Sequence, residues 1–356
     1  PSLLRSSPVG SREYPRTMRV SIVVFGTLVN RSGGYLYDRE LVTALETGGH
    51  AVTVISQRHA KTYGEQRRIA SERGWIDRLA ASTPDVILVD ELNHAAFAPA
   101  FSAVRALLPR VPIVAVVHHL RTDERPFAAR AFLRERVFLA RCDAWICNTS
   151  VTLARVRRVS GVRRSSAVVF PSAFDVSAAV EGAAGEHERS VRLLFVGNVI
   201  RRKNLHQVIR TAAAIDDARL DVYGSDDIDP TYTRRMRRLA GRLGVAERIR
   251  FHGRVGDAEL ESAFQNADLL VVPSVYEGFG IVYLEAFRRG VPVVATSRGG
   301  ASELVSRGVE GITVDPRVPG ATTRAVRRLV SLPYRRFEYA RAGPGCQAGI
   351  PGYPGC

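Results

Sequence analysis

Between Asp268 and Gly300 the chain reads DLLVVPSVYEGFGIVYLEAFRRGVPVVATSRGG. Two carboxylates, Glu277 and Glu285, flank a glycine-bearing stretch, Gly278-Phe279-Gly280. The apolar run Asp268–Val272 predicts a strand entering Pro273-Ser274. A loop holding Glu277 follows, then a helix with Glu285 near its second turn. Glycines let backbone N–H groups come close to a ligand at a helix start, where anions and oxygens are favoured. Carboxylates beside such a loop accept hydrogen bonds from vicinal hydroxyls, as on a sugar or a ribose. The plainer alternative has Glu277 capping the helix and Glu285 on a solvated face, and spacing alone does not choose between them.

A second chemical segment is Arg201-Arg202-Lys203, after the apolar run Val191–Val196 and Gly197. The chain has 51 Lys+Arg against 35 Asp+Glu, a net charge of +16, and every basic residue except Lys61 and Lys203 is arginine. A lysine in so arginine-rich a chain therefore stands out. Fixed cations here suit a phosphate-bearing ligand; the alternative is a solvated charge run. Gly33-Gly34 lies between a strand and a helix and reads as a close approach to phosphate or as an ordinary tight turn. It is not a GxGxxG fingerprint, which argues against a nicotinamide or flavin enzyme. His118-His119 ends a strand and is either a site residue or a buried structural one. No metal-ligand spacing of His, Cys or Asp is evident, so neither metal nor cofactor is expected.

These residues sit in an alternating strand–helix pattern. Strands are predicted at Arg19–Phe25, His50–Ser56, Asp85–Val89, Ile113–Val117, Ala144–Asn148 and Ser166–Phe170. After an Ala/Gly/Glu-rich stretch, Val176–Ser190, they resume at Val191–Val196, Leu220–Tyr223, Ile249–His252, Asp268–Val272 and Pro292–Thr296. Helical stripes include Tyr37, Leu41 and Leu45, and Leu205, Val208, Ile209 and Ala212. The expected fold is α/β: two doubly wound, Rossmann-like domains of parallel sheet that bind ligands beyond the carboxyl ends of their strands. The expected division is a leader at 1–17, a domain at 18–178, a linker at 179–190, a domain at 191–335 and a Gly/Pro tail at 336–356.

Composition bounds the function. The 356 residues are 46% hydrophobic and 24% charged, which excludes general disorder. No run approaches the roughly 18 apolar residues of a membrane span. Four cysteines without CxxC spacing fit a reducing, cytoplasmic compartment. The first 17 residues lack the apolar core of a signal peptide, and Met18 is a candidate start. The positive charge reads as compositional bias or as attraction to polyanions. Its spread along the chain argues against nucleic acid.

The order VVPS–x2–EGFG–x4–EA–x3–G–xPVVAT–x2–GG–x2–E resembles the signature of glycosyltransferase family 4, retaining transferases of GT-B fold. LLFVGNVIRRKN (193–204), LDVYG (220–224) and IRFHGRV (249–255) flank it in the family's order. RSGGYLYDRELVTALETGGHAVTVIS and VVAVVHHL resemble pieces of the family's first domain. The resemblance covers about residues 18–316. It implies a GT-B fold with two domains facing across a cleft and transfer of a sugar from a nucleotide-diphosphate-sugar donor. The acceptor would be carbohydrate, lipid-linked or small, and the anomeric configuration would be retained.

Matched position by position, the resemblance gives Glu277 the donor-sugar hydroxyls and Gly278, Phe279 and Gly280 the lining of that sugar. It gives Glu285 the ribose hydroxyls. Lys203 with Arg202 meets the diphosphate, as do Gly33 and Gly34, and His118 lies near the transferred sugar. Gly253 and Arg254 border the base. Gly197 and Asn198 belong to the donor loop; the family commonly has arginine where Asn198 stands, and Arg201 or Arg202 is expected to supply that charge. Asp226-Asp227 is not read as a metal site, because the DxD site belongs to another transferase fold. Other readings are a GT-B-fold sugar-nucleotide epimerase and a non-catalytic nucleotide-sugar binder. Phe127–Cys142, mixing aromatic and aliphatic residues with arginines, reads as a helix packed on the sheet or as a basic face touching an anionic membrane.

Overall fold

The computed structural model describes residues 17–29, 33–58, 63–124, 129–170, 190–305 and 311–331. Residues 1–16 of the expected leader (1–17), residues 179–189 of the expected linker (179–190) and the whole Gly/Pro tail (336–356) lie outside the described residues.

Twelve strands are described, in two six-stranded sheets. The first holds β1 (Arg19–Phe25), β2 (Ala51–Gln57), β3 (Val86–Asp90), β4 (Ile113–Val117), β5 (Ala144–Cys147) and β6 (Ser165–Val168), in the order β2-β1-β3-β4-β5-β6. The second holds β7 (Arg192–Val196), β8 (Arg219–Tyr223), β9 (Ile249–Gly253), β10 (Leu269–Val272), β11 (Val293–Thr296) and β12 (Gly311–Val314), in the order β12-β11-β10-β7-β8-β9. β1 pairs parallel with β2 and β3, and β3 with β4. Every pairing in the second sheet is parallel. Each sheet starts at an interior strand, β1 or β7, and reverses strand order beside it, the switch point at which such sheets bind ligands.

The central strands are apolar on both faces because helices cover both. In β1, Ile22, Val23 and Val24 have no exposed surface, and in β10 neither do Leu270, Val271 and Val272. The expected strands are all present, with ends displaced by a residue or two. β12 was not anticipated: it has four residues and sits at the sheet edge, too short for a sequence pattern to declare it.

The chain divides into two compact units, residues 1–116 with 140–145 and residues 117–139 with 146–356. Among the described residues no helix is long and apolar enough to cross a membrane.

Candidate active site

The carboxyl ends of β7 and β10 meet in a cluster built on Glu277. β7 leads through Gly197 and Asn198 to a single tight turn, Arg201–Lys203, and then to the helix Leu205–Ala214. Asn204 joins the two in a left-handed conformation, φ 62°. Asparagine tolerates this better than most residues because its short polar side chain bonds locally. Its amide nitrogen donates to the Pro273 carbonyl at 3.0 Å. The Val275 N–H donates to the Arg202 carbonyl at 2.7 Å, and the Arg202 guanidinium to the Tyr276 carbonyl at 3.3 Å. Three hydrogen bonds thus fasten the basic turn to the loop after β10.

That fastening puts Lys203 Nζ 2.6 Å from Glu277 Oε2 and Arg202 3.7 Å from Oε1. The Ser274 hydroxyl donates to Oε2 at 3.0 Å. The Lys203 and Glu277 side chains are only 14% and 11% exposed. Burial pushes the Glu277 carboxyl up, but Lys203, Arg202 and Ser274 together outweigh it and hold it at about 2. The carboxylate is therefore ionised at any physiological pH. Arg201 is turned away: its side chain is 67% exposed and 3.9 Å from Asp229. Of the two arginines flanking Lys203 in sequence, Arg202 is the one that serves this cluster.

The backbone of Glu277 is fixed as firmly as its side chain. Its N–H donates to the Arg298 carbonyl at 3.0 Å, and its carbonyl accepts from Gly300 at 2.9 Å. The glycines here answer to space. A Cβ on Gly278 would lie 2.3 Å from the His118 carbonyl oxygen, and one on Gly300 would lie 2.2 Å from the Gly278 carbonyl oxygen. Gly280, at φ 91°, leads into the helix Ile281–Phe287, where a Cβ would strike the Tyr283 ring. Phe279 is buried, its ring 6.2 Å from that of Phe170. His118 is also buried, and its carbonyl accepts from Asn148 at 2.8 Å.

Glu285 is half-buried on the helix Ile281–Phe287. Burial raises its carboxyl, Asp257 and Glu261 add to the rise, and Arg289 opposes it. Gly197 donates to Tyr223 and Gly224 to Gly253, both at 2.8 Å, which stacks the loops after β7, β8 and β9. Asn198 is half-buried and Arg254 exposed in these loops. In the other unit, Gly33 and Gly34 open the helix Gly33–Thr47, whose Tyr35 hydroxyl donates to the Phe25 carbonyl at the end of β1.

The structure thus brings together Arg202, Lys203 and Glu277, with Gly278, Phe279 and Gly280 adjoining, and stacks Gly197 with Gly253. Four contributors escaped the sequence reading. Asn204 bonds to Pro273 across 69 residues of chain and Ser274 to Glu277 across three, and neither residue type declares that role in the sequence. Tyr276 is buried facing Asp123, which is itself paired with Arg155 at 2.6 Å; burial and that carboxylate push its hydroxyl well up. Glu303 accepts from the backbone N–H groups of Ser150 and Val151, at 3.2 and 2.7 Å, at the start of the helix Ser150–Ser160. Glu303 closes the GG–x2–E motif, which was the available signal.

In chemical terms, the cluster offers an ionised carboxylate able to accept hydroxyl protons in hydrogen bonds. Beside it stand an ammonium and a guanidinium able to stabilise charge developing on a phosphate.

Residues 33–178 match the family described as Glycosyltransferase Family 4, and residues 180–344 match Glycosyl transferases group 1. An uncharacterised glycosyltransferase of Methanocaldococcus jannaschii is 36% identical over 150 residues, covering 41% of this chain and 37% of that protein. The D-inositol 3-phosphate glycosyltransferase of Streptomyces avermitilis is 30% identical over 240 residues, covering 63% of this chain and 52% of that protein. The chain thus spans about half or less of these curated relatives. In fold it is similar to the sucrose-phosphate synthase of Thermosynechococcus elongatus, with TM-score 0.75 and 20% identity over 91% of each chain. It is likewise similar to Anabaena HepE in complex with UDP and glucose, with TM-score 0.67 and 18% identity over 88% of this chain and 90% of that one. These two solved structures share the GT-B architecture of paired parallel α/β sheets, and the chain belongs to glycosyltransferase family 4, within the glycosyl transferases of group 1.

Proposed function

We propose that the chain transfers a sugar from a nucleotide-diphosphate-sugar donor to a hydroxyl-bearing acceptor, with retention at the anomeric carbon. The observation that carries this reading is the Lys203–Glu277 pair at 2.6 Å, with Arg202 beside it, inside the EGFG segment. In this reading Lys203 and Arg202 neutralise the departing diphosphate, aided by Gly33 and Gly34. Glu277 holds donor-sugar hydroxyls, and Gly278, Phe279 and Gly280 line that sugar. Glu285 takes the ribose hydroxyls, Gly253 and Arg254 border the base, Gly197 and Asn198 form the donor loop, and His118 attends the transferred sugar. Residues 191–335 take the donor and 18–178 the acceptor.

The similarity to HepE, described with UDP and glucose, makes UDP-glucose the first donor to test. The similarity to D-inositol 3-phosphate glycosyltransferases makes a phosphorylated polyol the first acceptor class. A peripheral membrane contact is part of the proposal. The helix Ala129–Arg141 buries Glu135, Phe138 and Leu139 yet exposes Phe132, Leu133 and Val137 among Arg130, Arg136 and Arg141. Such a mixed face suits an anionic bilayer carrying a lipid-linked acceptor.

The test is a panel of sugar nucleotides read by nucleoside diphosphate release and thermal stabilisation together. Transfer predicts one donor that does both in the presence of an acceptor. A donor that stabilises the chain without release, whatever the acceptor, would leave a binding protein instead.

A further inference from the structure

Parallel sheets are ordinarily covered on both faces and apolar throughout. The β7–β8–β9 end of the second sheet departs from this. β8 reads RLDVY and β9 reads IRFHG, an alternating pattern. One face carries buried Leu220, Val222 and Ile249, and Arg237 of the helix Pro230–Arg242 lies over Phe251 on that same face at 5.1 Å. By alternation the opposite face presents Arg192, Arg219, Asp221, Tyr223, Arg250 and His252.

The register sharpens the anomaly. Arg192 stands beside Arg219, and Asp221 beside Arg250. Like charges side by side on neighbouring strands destabilise the sheet. Asp221 is taken by His252, Oδ1 to Nε2 at 2.7 Å. Among the described residues, the guanidinium groups of Arg192, Arg219 and Arg250 take part in no ion pair. Tyr223 and His252 stack at 4.1 Å, 3° from parallel, and form a flat wall. Over this face lies a cavity of about 690 Å³, bounded on its other side by Glu259, Ser262 and Asn266 of the helix Asp257–Asn266. Neither Lys203 nor Glu277 lines it.

The geometry points to a second binding site, for a small phosphorylated polyol. Unpaired guanidinium groups match a phosphate, whose oxygens take their forked donors. Glu259 and Asn266 opposite them match hydroxyls. Asp217 and Glu247 also border the cavity, so its charge is mixed, which suits one phosphate on a hydroxylated body and disfavours a polyanion. The volume lies in the range of small-molecule sites, roughly 300–1,000 Å³. The assignment does not depend on the transfer reaction.

Calorimetric titration of the full chain tests it, with glucose 6-phosphate as probe at fixed ionic strength and UDP present to fill the nucleotide site. The expected result is saturable binding that glucose and inorganic phosphate do not match. Binding should weaken at least tenfold in the Arg219→Ala/Arg250→Ala double variant and persist in Lys203→Ala at a temperature where circular dichroism shows that variant folded. Both substituted arginines are exposed and Arg219 stands beside the like charge of Arg192, so a melting temperature no lower than that of the unaltered chain accompanies the loss. No binding by the unaltered chain, equal binding by the double variant, or loss in Lys203→Ala would each overturn the assignment. Equal affinity for inorganic phosphate would overturn its polyol part.

Discussion

In the proposed reaction Glu277 is the central carboxylate, and its burial gives it two measurable consequences. Removing Lys203 strands a buried carboxylate, a change that costs about 3–5 kcal/mol where it has been measured in buried pairs. Lys203→Ala should therefore melt well below the unaltered chain, as differential scanning calorimetry would record. The second consequence concerns acid. Glu277 titrates at about 2 in the folded chain against an ordinary 4.5, so the unfolded chain binds the proton more readily. Its stabilising contribution is complete above the ordinary value and disappears as pH falls from there through about 2. Urea unfolding at pH 5 and pH 3 should show a loss that Lys203→Met largely abolishes. Glu285 has the opposite sign: its folded carboxyl is raised by burial, with Asp257 and Glu261 adding to the rise. Its ionisation thus costs stability as pH rises past the ordinary carboxylate range. Glu285→Gln should raise the melting temperature of the ligand-free chain at neutral pH while weakening nucleotide binding, and lower stability in that variant would contradict the assignment. Glu277 and Lys203 were legible because their types are conspicuous, a carboxylate among glycines and a lysine among arginines. Asn204 was not, because its value comes only when the loops after β7 and β10 are laid together, and Ser274 was not, because a loop hydroxyl three residues before Glu277 carries no signal of its own.

At the scale of elements, the site depends on how closely backbone segments approach. Gly300 lies in the loop that holds both the N–H and the carbonyl of Glu277. Gly300→Ala would drive a methyl group into the Gly278 carbonyl and Thr149. We expect a loss of stability of about 2 kcal/mol or more, since backbone cannot step aside as a side chain does. Chemical denaturation would register it. Glu303 ties the same loop to the first turn of the helix Ser150–Ser160, where backbone N–H groups lack intrahelical partners. Glu303→Ala should slow transfer several-fold, with Glu303→Asp recovering part of it and donor affinity little changed. A variant that lost donor binding alone would show that the contact serves the nucleotide directly. Most of these elements could be read from the sequence, because buried parallel strands such as IVAVV and LLVV are unbroken apolar runs between Gly-bearing loops. The edge strand β12 was missed because four residues at a sheet margin carry too little of that signal. The polar alternation of β8 and β9 was in plain view, but its meaning needed the register that pairs Arg192 with Arg219.

The whole molecule carries a net charge of +16, a field that favours anionic donors and anionic surfaces alike. If the helix Ala129–Arg141 meets a bilayer, the chain should sediment with vesicles containing anionic lipid at low salt. It should leave them as salt is raised, because exposed charges are screened. Leu133→Glu should abolish the association without altering the melting temperature, since Leu133 is 61% exposed. The most direct test of the account lies in the Lys203–Glu277 pair. Nucleoside diphosphate release should be followed for the unaltered chain and for Lys203→Ala and Glu277→Ala, each shown to be folded, with the donor that the panel selects. Loss of turnover by two orders of magnitude or more in both variants is the predicted result. Turnover near that of the unaltered chain in Lys203→Ala would contradict the claim that this ammonium stabilises the departing diphosphate.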